Sequence, residues 1–364
     1  MYCLIYKKQE GLQMNPNKNI NLILGGGGVK GIAFIGALQR ARQEKYCFKN
    51  FAGVSAGSIV GSLMASGFSP FELVKILEEL RFEKIKMEEV IKRVPVISQY
   101  KDYMLSSEAY RKYDVKSFFN YYDHDTHLRN DELLGFEGSR GNVFKSIITF
   151  CKEGCLFDGD YLEEWIYKVL KQKGVVTFAD LRGGVADEVN PMGYKVRMTA
   201  VDANRGKLVV LPDDIIFYDM NPDRLEVSKA VRMSSSVPFV FKPVVVRRKE
   251  GTNIKSYNLV DGGVLDSLPF WLVSNLEKNR YKNIGIKLIK TKNGIIKPDT
   301  PLKVLKHIIS SVHDFGVPDN IDFSDRNIIK INTGGISFLD FDLSIKEKEF
   351  LIKAGNDTAE KFFS

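Results

Sequence analysis

Gly53-Val54-Ser55-Ala56-Gly57 closes an apolar, strand-like run from Tyr46 to Val54 and precedes Ser58 to Ser66, a stretch of helical composition that Gly67 is placed to stop. A G-x-S-x-G between a strand and a helix describes a serine on a sharp elbow. Glycine is needed on both sides because a Cβ there would collide with the neighbouring backbone. The elbow predicts a Ser55 hydroxyl lifted out of the fold, within reach of a carbonyl, as a nucleophile. A turn of small residues with no chemistry has the same five letters, but the strand before it and the helix after it favour the elbow. The next helix is announced by Ser69-Pro70-Phe71-Glu72, a capping box with proline at the first helical position.

Upstream, the short apolar strand Asn19 to Leu24 runs into Gly25-Gly26-Gly27-Gly28-Val29-Lys30-Gly31, and a helical pattern follows through Ile32, Phe34, Ile35 and Leu38. Four consecutive glycines leave backbone N–H groups unobstructed, and a helix start adds unsatisfied amides and the positive end of its dipole. Beside Ser55, such a loop holds the oxyanion formed when a serine attacks an ester. Gly26, Gly28 and Gly31 also fit G-x-G-x-x-G, the dinucleotide-binding fingerprint. That fingerprint wants an acid at the tip of the second strand, where this chain has Gly53-Val54-Ser55. A phosphate-binding P-loop lacks its closing Gly-Lys-Ser/Thr.

A third element is Asp261, delivered by the apolar strand Tyr257-Asn258-Leu259-Val260 into Gly262-Gly263. An ordinary Asp-Gly turn gives the same pattern, but a serine nucleophile needs a base. The histidines are His124, His127, His307 and His313. A triad in the order Ser, Asp, His needs one of the last two, and both sit in the helix-like run Leu302 to Val312, where they read as solvated helix residues. A dyad of Ser55 and Asp261 needs neither. Asp266 brings a second carboxylate close in sequence to Asp261, an arrangement that raises the pKa of one of a pair.

The ordered set of Gly26-Gly27-Gly28-Val29-Lys30-Gly31, Gly53 to Gly57 and Asp261-Gly262-Gly263 resembles the patatin-like phospholipase family, which uses a Ser–Asp dyad. Further stretches resemble the family's landmarks: Ala230 to Pro238, the hairpin Met198 to Leu211 with its Asp202-Ala203-Asn204-Arg205-Gly206 turn, Leu156-Phe157-Asp158-Gly159 and Thr177 to Leu181. The resemblance runs from about Asn19 to Trp271. It departs where Val264-Leu265-Asp266-Ser267-Leu268-Pro269 replaces the family's asparagines, and where Gly25 stands for a polar residue.

The resemblance implies a three-layer α/β fold, a mostly parallel sheet with helices on both faces. It implies a lipid acyl hydrolase of the phospholipase A or lysophospholipase type. Ser55 is then the nucleophile, Asp261 the base, and Gly26, Gly27 and Gly28 the oxyanion hole. Lys30, Gly31, Gly53, Gly57, Gly262 and Gly263 are supporting motif positions. No metal or organic cofactor is implied. The partners implied are a phospholipid or lysophospholipid at a membrane surface and, for a regulated effector of the same fold, an activating ligand or protein.

The remaining features set bounds. Asp123, His124, Asp125 and His127 match no zinc or calcium spacing and read as a solvated loop. Cys3, Cys47, Cys151 and Cys155 form no C-x-x-C set, and their low number predicts a reducing compartment. With 364 residues, 44% of them hydrophobic, the chain suffices for a sizeable core. No run of eighteen apolar residues predicts a membrane span, and the N-terminus is too polar for a secretion signal, so a cytoplasmic protein with peripheral membrane association is expected. A net charge of +8 suits anionic headgroups as well as solubility. Nucleic acid is not expected, because the basic and aromatic stretch Tyr100 to Arg129 carries scattered acids and no binding motif. In domain terms the chain reads as an extension, 1–18, with Met14 as a second candidate start, and one α/β domain, 19–364. That domain comprises a motif-bearing core, 19–271, a lid or lipid-contacting insertion within 100–135, and a C-terminal segment, 283–364. Strands are expected at Asn283 to Lys290 and Asn327 to Ile331. Leu343 to Phe363 is expected to be helical with a small-residue break at Ala354-Gly355.

Overall fold

The computed structural model describes residues 15, 18–79, 155, 157–273, 281–290 and 327–364. The 100–135 segment, all four histidines and the Asp123–His127 group lie outside the described residues.

β1 (Asn19–Leu24) is buried on both sides from Ile20 onward, with Ile20, Leu22 and Leu24 on one face and Asn21 and Ile23 on the other. It pairs in parallel with β2 (Cys47–Gly53) and later with β7 (Lys282–Ile289). β2 continues in parallel to β3 (Val196–Asp202), which turns back antiparallel into β4 (Lys207–Leu211). β5 (Val244–Glu250) and β6 (Asn253–Asp261) form a hairpin whose second strand pairs antiparallel with β3. β8 (Ile328–Asn332) extends β7 in parallel. The path is β5-β6-β3-β2-β1-β7-β8, with β4 also on β3, giving one mixed, mostly parallel sheet of eight strands.

Parallel neighbours need crossovers, and helices supply them. α1 (Ile32–Gln43) follows β1, and α2 (Ala56–Ala65) follows β2. α3 (Pro70–Glu79), α4 (Asp160–Lys171), α5 (Val227–Ser234) and α6 (Ile345–Phe363) complete the α-helices among the described residues. The two-residue alternation of the strands separates the faces. Leu22, Leu24, Ile284, Ile286, Leu288, Ile329 and Ile331 meet the helices in one large core. Ile23 and Ala52 turn to the other face, under Leu268, Phe270, Leu272 and Val273. On that face the amide of Asn21 donates to Asn283 at 2.9 Å, and Asn283 to the Val273 carbonyl at 3.1 Å.

Local signals placed most elements within two residues. The Ser69 N–H donates to Glu72 Oε2 at 2.6 Å and the Glu72 N–H to Ser69 Oγ at 3.2 Å, closing the expected capping box. The C-terminal segment differs from expectation. α6 runs unbroken for 19 residues through Ala354-Gly355. The small residues serve a close helix crossing instead. A Cβ on Gly355 would lie 2.0 Å from the Ala33 carbonyl oxygen of α1, and one on Gly36 would lie 1.8 Å from the Ile352 carbonyl oxygen of α6. Arg40 and Glu360 tie the same two helices at 2.9 Å.

Candidate active site

The sharp turn after β2 is real in its backbone. Ser55 has φ 52° and ψ −121°, a left-handed conformation that a non-glycine residue adopts only when its surroundings impose it. Here the flanking glycines are hemmed in by backbone. A Cβ on Gly53 would sit 2.5 Å from the Gly57 carbonyl, and one on Gly57 only 2.1 Å from the Leu24 carbonyl oxygen. The Val54 N–H donates to that same Leu24 oxygen at 3.2 Å. The Ser55 N–H donates to Ser234 Oγ at 3.0 Å, and its carbonyl accepts from Ser58 Oγ at 2.6 Å. Ser55 is only 3% exposed, so the elbow lies buried in the fold.

The glycine loop leaves β1 directly beside this turn. A Cβ on Gly31 would be 2.8 Å from the Ala56 Cβ, so the loop's last glycine abuts the residue after Ser55. The Gly25 N–H donates to Ile286 (3.0 Å), the Gly26 N–H to Ser267 (2.9 Å) and the Val29 N–H to Phe338 (3.1 Å), in each case to the carbonyl. Gly27 and Gly28 donate to no acceptor among the described residues. Gly28 has φ 53°, and a Cβ there would be 2.2 Å from the Phe338 carbonyl oxygen. Of the three amides expected to face an oxyanion, that of Gly26 is therefore already engaged with Ser267, and two remain. Lys30 is buried in the first turn after the loop.

Asp261 ends β6 opposite Ala200 and is fully buried. Its Oδ1 accepts the Gly263 N–H at 2.7 Å, and its own N–H donates to the Ser236 carbonyl at 2.9 Å. Gly262 passes so close to β3 that a Cβ would be 2.5 Å from the Thr199 carbonyl oxygen and hydroxyl. Asp266 points elsewhere: its Oδ2 accepts the Trp271 indole N–H at 2.8 Å and its Oδ1 the Leu268 N–H at 3.0 Å. That turn gives the second carboxylate a structural role.

The three sequence motifs thus converge at one end of the sheet, where the strand termini of an open α/β fold gather functional groups. The residues that sequence reasoning assigned no role are Ser234 and Ser236. Ser234 holds the backbone of Ser55 and Ser236 holds that of Asp261, so one short segment brackets both. The visible signal was a run of three serines after an amphipathic turn. Its meaning depends on partners 179 residues away for Ser234, a relation no local pattern carries.

Known proteins bear on this geometry. The chain is 29% identical over 348 residues to the uncharacterized protein YqhO of Bacillus subtilis (strain 168), covering 94% of this chain and 97% of that protein. It is 21% identical over 328 residues to the probable lipid hydrolase 463L of Invertebrate iridescent virus 6, covering 90% and 83% respectively. Among solved structures, VipD from Legionella pneumophila aligns with a TM-score of 0.47 at 16% identity, covering 96% of this chain and 67% of that one. The profile of the family described as patatin-like phospholipase matches residues 22–273, a span that opens in β1, takes in the glycine loop, the Ser55 elbow and Asp261, and so makes this chain a member of the patatin-like phospholipase family.

Proposed function

We propose that the protein hydrolyses carboxylic esters of phospholipids or lysophospholipids through Ser55 and Asp261. The observation that carries the reading is the shared bracket. The Ser55 and Asp261 backbones are both held by Ser234–Ser236, while the uncommitted amides of Gly27 and Gly28 lie in the loop packed against the same elbow. In this reading Ser55 Oγ attacks the ester carbonyl as its proton passes to Asp261. The Gly27 and Gly28 amides hold the oxyanion, each donor contributing about 100- to 1000-fold in turnover. Collapse of the tetrahedral intermediate breaks the ester C–O bond, and the proton on Asp261 goes to the departing alcohol. Asp261 then takes a proton from water, whose oxygen attacks the acyl-serine; the bond from Ser55 Oγ to the acyl carbon breaks, the Asp261 proton returns to Oγ, and the fatty acid leaves.

Delivery to a lipid surface is supported by the β5–β6 hairpin. Direct cross-strand pairs place Val245, Arg247, Lys249 and Ile254 on one face with Ser256 and Asn258 and no acid. Val245 is 47% and Ile254 70% exposed, an unusual display of apolar side chains beside cations. Phe239, three residues after Ser236, is also 46% exposed and has a positive φ of 66°. No helix among the described residues is long and apolar enough to cross a membrane.

The test is labelling of the purified protein with a fluorophosphonate probe, alongside fatty-acid release from phosphatidylcholine and lysophosphatidylcholine. Both signals are expected to vanish in Ser55→Ala and Asp261→Asn and to persist in His307→Ala and His313→Ala. Labelling that survives Ser55→Ala, or that requires either histidine, refutes the dyad.

A further inference from the structure

Arg232 lies in the last turn of α5, only 3% exposed, and takes no part in the chemistry above. A buried guanidinium is costly unless its donors are met. Here they are met by two separate pieces of chain. Nη1 donates to Ser236 Oγ, and Nη2 donates to the Asp158 carbonyl and, at 2.7 Å, to the Lys242 carbonyl. Ser236 Oγ returns a hydrogen bond to the Arg232 carbonyl at 2.6 Å. The Asp158 and Lys242 segments are themselves laced together, Phe157 N–H to Val240 at 2.9 Å and Lys242 N–H to Phe157 at 2.8 Å. Burial pushes the guanidinium's pKa down, and the carboxylates of Glu163, Asp160 and Asp158 act in the opposite sense.

The chain also keeps a space for this group. Gly159 has φ 83°, and a Cβ there would fall 2.2 Å from the Arg232 Cζ and Nε. Two stretches that resembled family landmarks without a role, Leu156 to Gly159 and Ala230 to Pro238, are therefore parts of one device. Only a planar fork serves acceptors on both pieces at once; an ammonium is a compact point charge on a flexible stem.

We propose that Arg232 is a positioning residue for the Ser55–Asp261 pair. Its guanidinium anchors Ser236, whose carbonyl holds the Asp261 N–H, while Ser234 in the same turn holds the Ser55 N–H. The inference rests on the proposed esterase reading. Without the anchor, Ser236 and Asp261 drift relative to Ser55, and a displacement near 1 Å costs about 100-fold in rate.

The experiment uses the full chain and the variants Arg232→Met, Arg232→Lys and Gly159→Ala, with melting curves establishing that each is folded at the assay temperature. On p-nitrophenyl butyrate, Arg232→Met is expected to lose about 100-fold in kcat with KM within twofold. Fluorophosphonate labelling of Ser55 slows in the same ratio, Arg232→Lys recovers part of the loss, and Gly159→Ala behaves as Arg232→Met. Backbone hydrogen exchange at Ser55 and Asp261 rises at least tenfold in Arg232→Met while that of β1 stays unchanged. A folded Arg232→Met with wild-type kcat and exchange overturns the proposal. So does a loss confined to KM, or one accompanied by faster exchange throughout β1. Should Arg232→Met not fold, wild-type kcat and exchange in a folded Gly159→Ala overturn the proposal, and the losses just stated support it. A wild-type protein that is not labelled at Ser55 refutes the esterase reading instead; the exchange at Ser55 and Asp261 still decides the role of Arg232.

Discussion

Replacing Gly36 by alanine sets two effects of opposite sign against each other. In the interior of a helix such as α1, alanine is favoured over glycine by about 1 kcal/mol. The crossing with α6 opposes that gain. The new Cβ would sit 1.8 Å from the Ile352 carbonyl oxygen and 2.8 Å from the Asn356 nitrogen, both of them backbone that no rotamer change can move. A carbon–oxygen contact needs about 3.3 Å, so α6 must retreat by roughly 1.5 Å. That retreat loosens Leu351 and Ala359, which are fully buried at the α6 interface. Overpacking of this kind costs about 3 kcal/mol, the upper end of its usual range. The net loss is then about 2 kcal/mol, a fall of about 3 °C in melting temperature for a chain of this length.

Gly61 in α2 is the matched control. Its Cβ would meet Phe51 Cβ and Val196 Cγ2 at 3.5 Å, ordinary contact, so Gly61→Ala is expected to stabilise by up to about 1 kcal/mol. Thermal and urea melts of the two variants and wild type make the comparison. Because α1 begins where the glycine loop ends, Gly36→Ala should also slow labelling of Ser55. A Gly36→Ala protein that melts at or above wild type refutes the packing argument, since helix propensity alone then decides.

Two further outcomes follow from charges. The Arg182 guanidinium and then the Tyr194 hydroxyl hold the Asp223 carboxyl below its ordinary range, and the N–H groups of Thr177 and Val176 do the same for Asp180. Both groups therefore contribute stability above the unfolded carboxylate pKa, about 3.9, that is lost as pH falls through their lower folded values. Asp180→Asn and Asp223→Asn should flatten the loss of stability below pH 4 in urea titrations; an equally steep acid limb in both would exclude these groups as its source. On the β5–β6 hairpin, Arg247→Gln with Lys249→Gln in a Ser55→Ala background should weaken binding to phosphatidylserine-containing vesicles about thirtyfold, roughly fivefold per cation. Sedimentation that does not distinguish the variant from its parent, or anionic from phosphatidylcholine vesicles, removes the hairpin as the docking face.

The sequence by itself determined what depends on near neighbours. Strand β1, the Ser69–Glu72 capping box and the glycines around Ser55 were legible because alternation, side-chain caps and tight turns are set within a few residues. The motifs also singled out Ser55 and Asp261 as candidates, since a serine on a strand-to-helix elbow and a carboxylate at a strand end carry local backbone requirements. Tertiary structure decided everything that one segment does to another. Gly355 reads locally as a helix breaker, yet it lies inside a continuous helix, where Ala33 of α1 occupies the space a side chain would need. The Gly26 amide looks like its neighbours in the loop until Ser267 accepts it. Ser234 and Ser236 carry no local signal for their bonds to the Ser55 and Asp261 backbones, because those partners come near only when β2, α5 and β6 meet at one end of the sheet. A side chain's conformational preference is written in its own residues, but the atoms that meet its donors and fill its space are supplied by the rest of the fold.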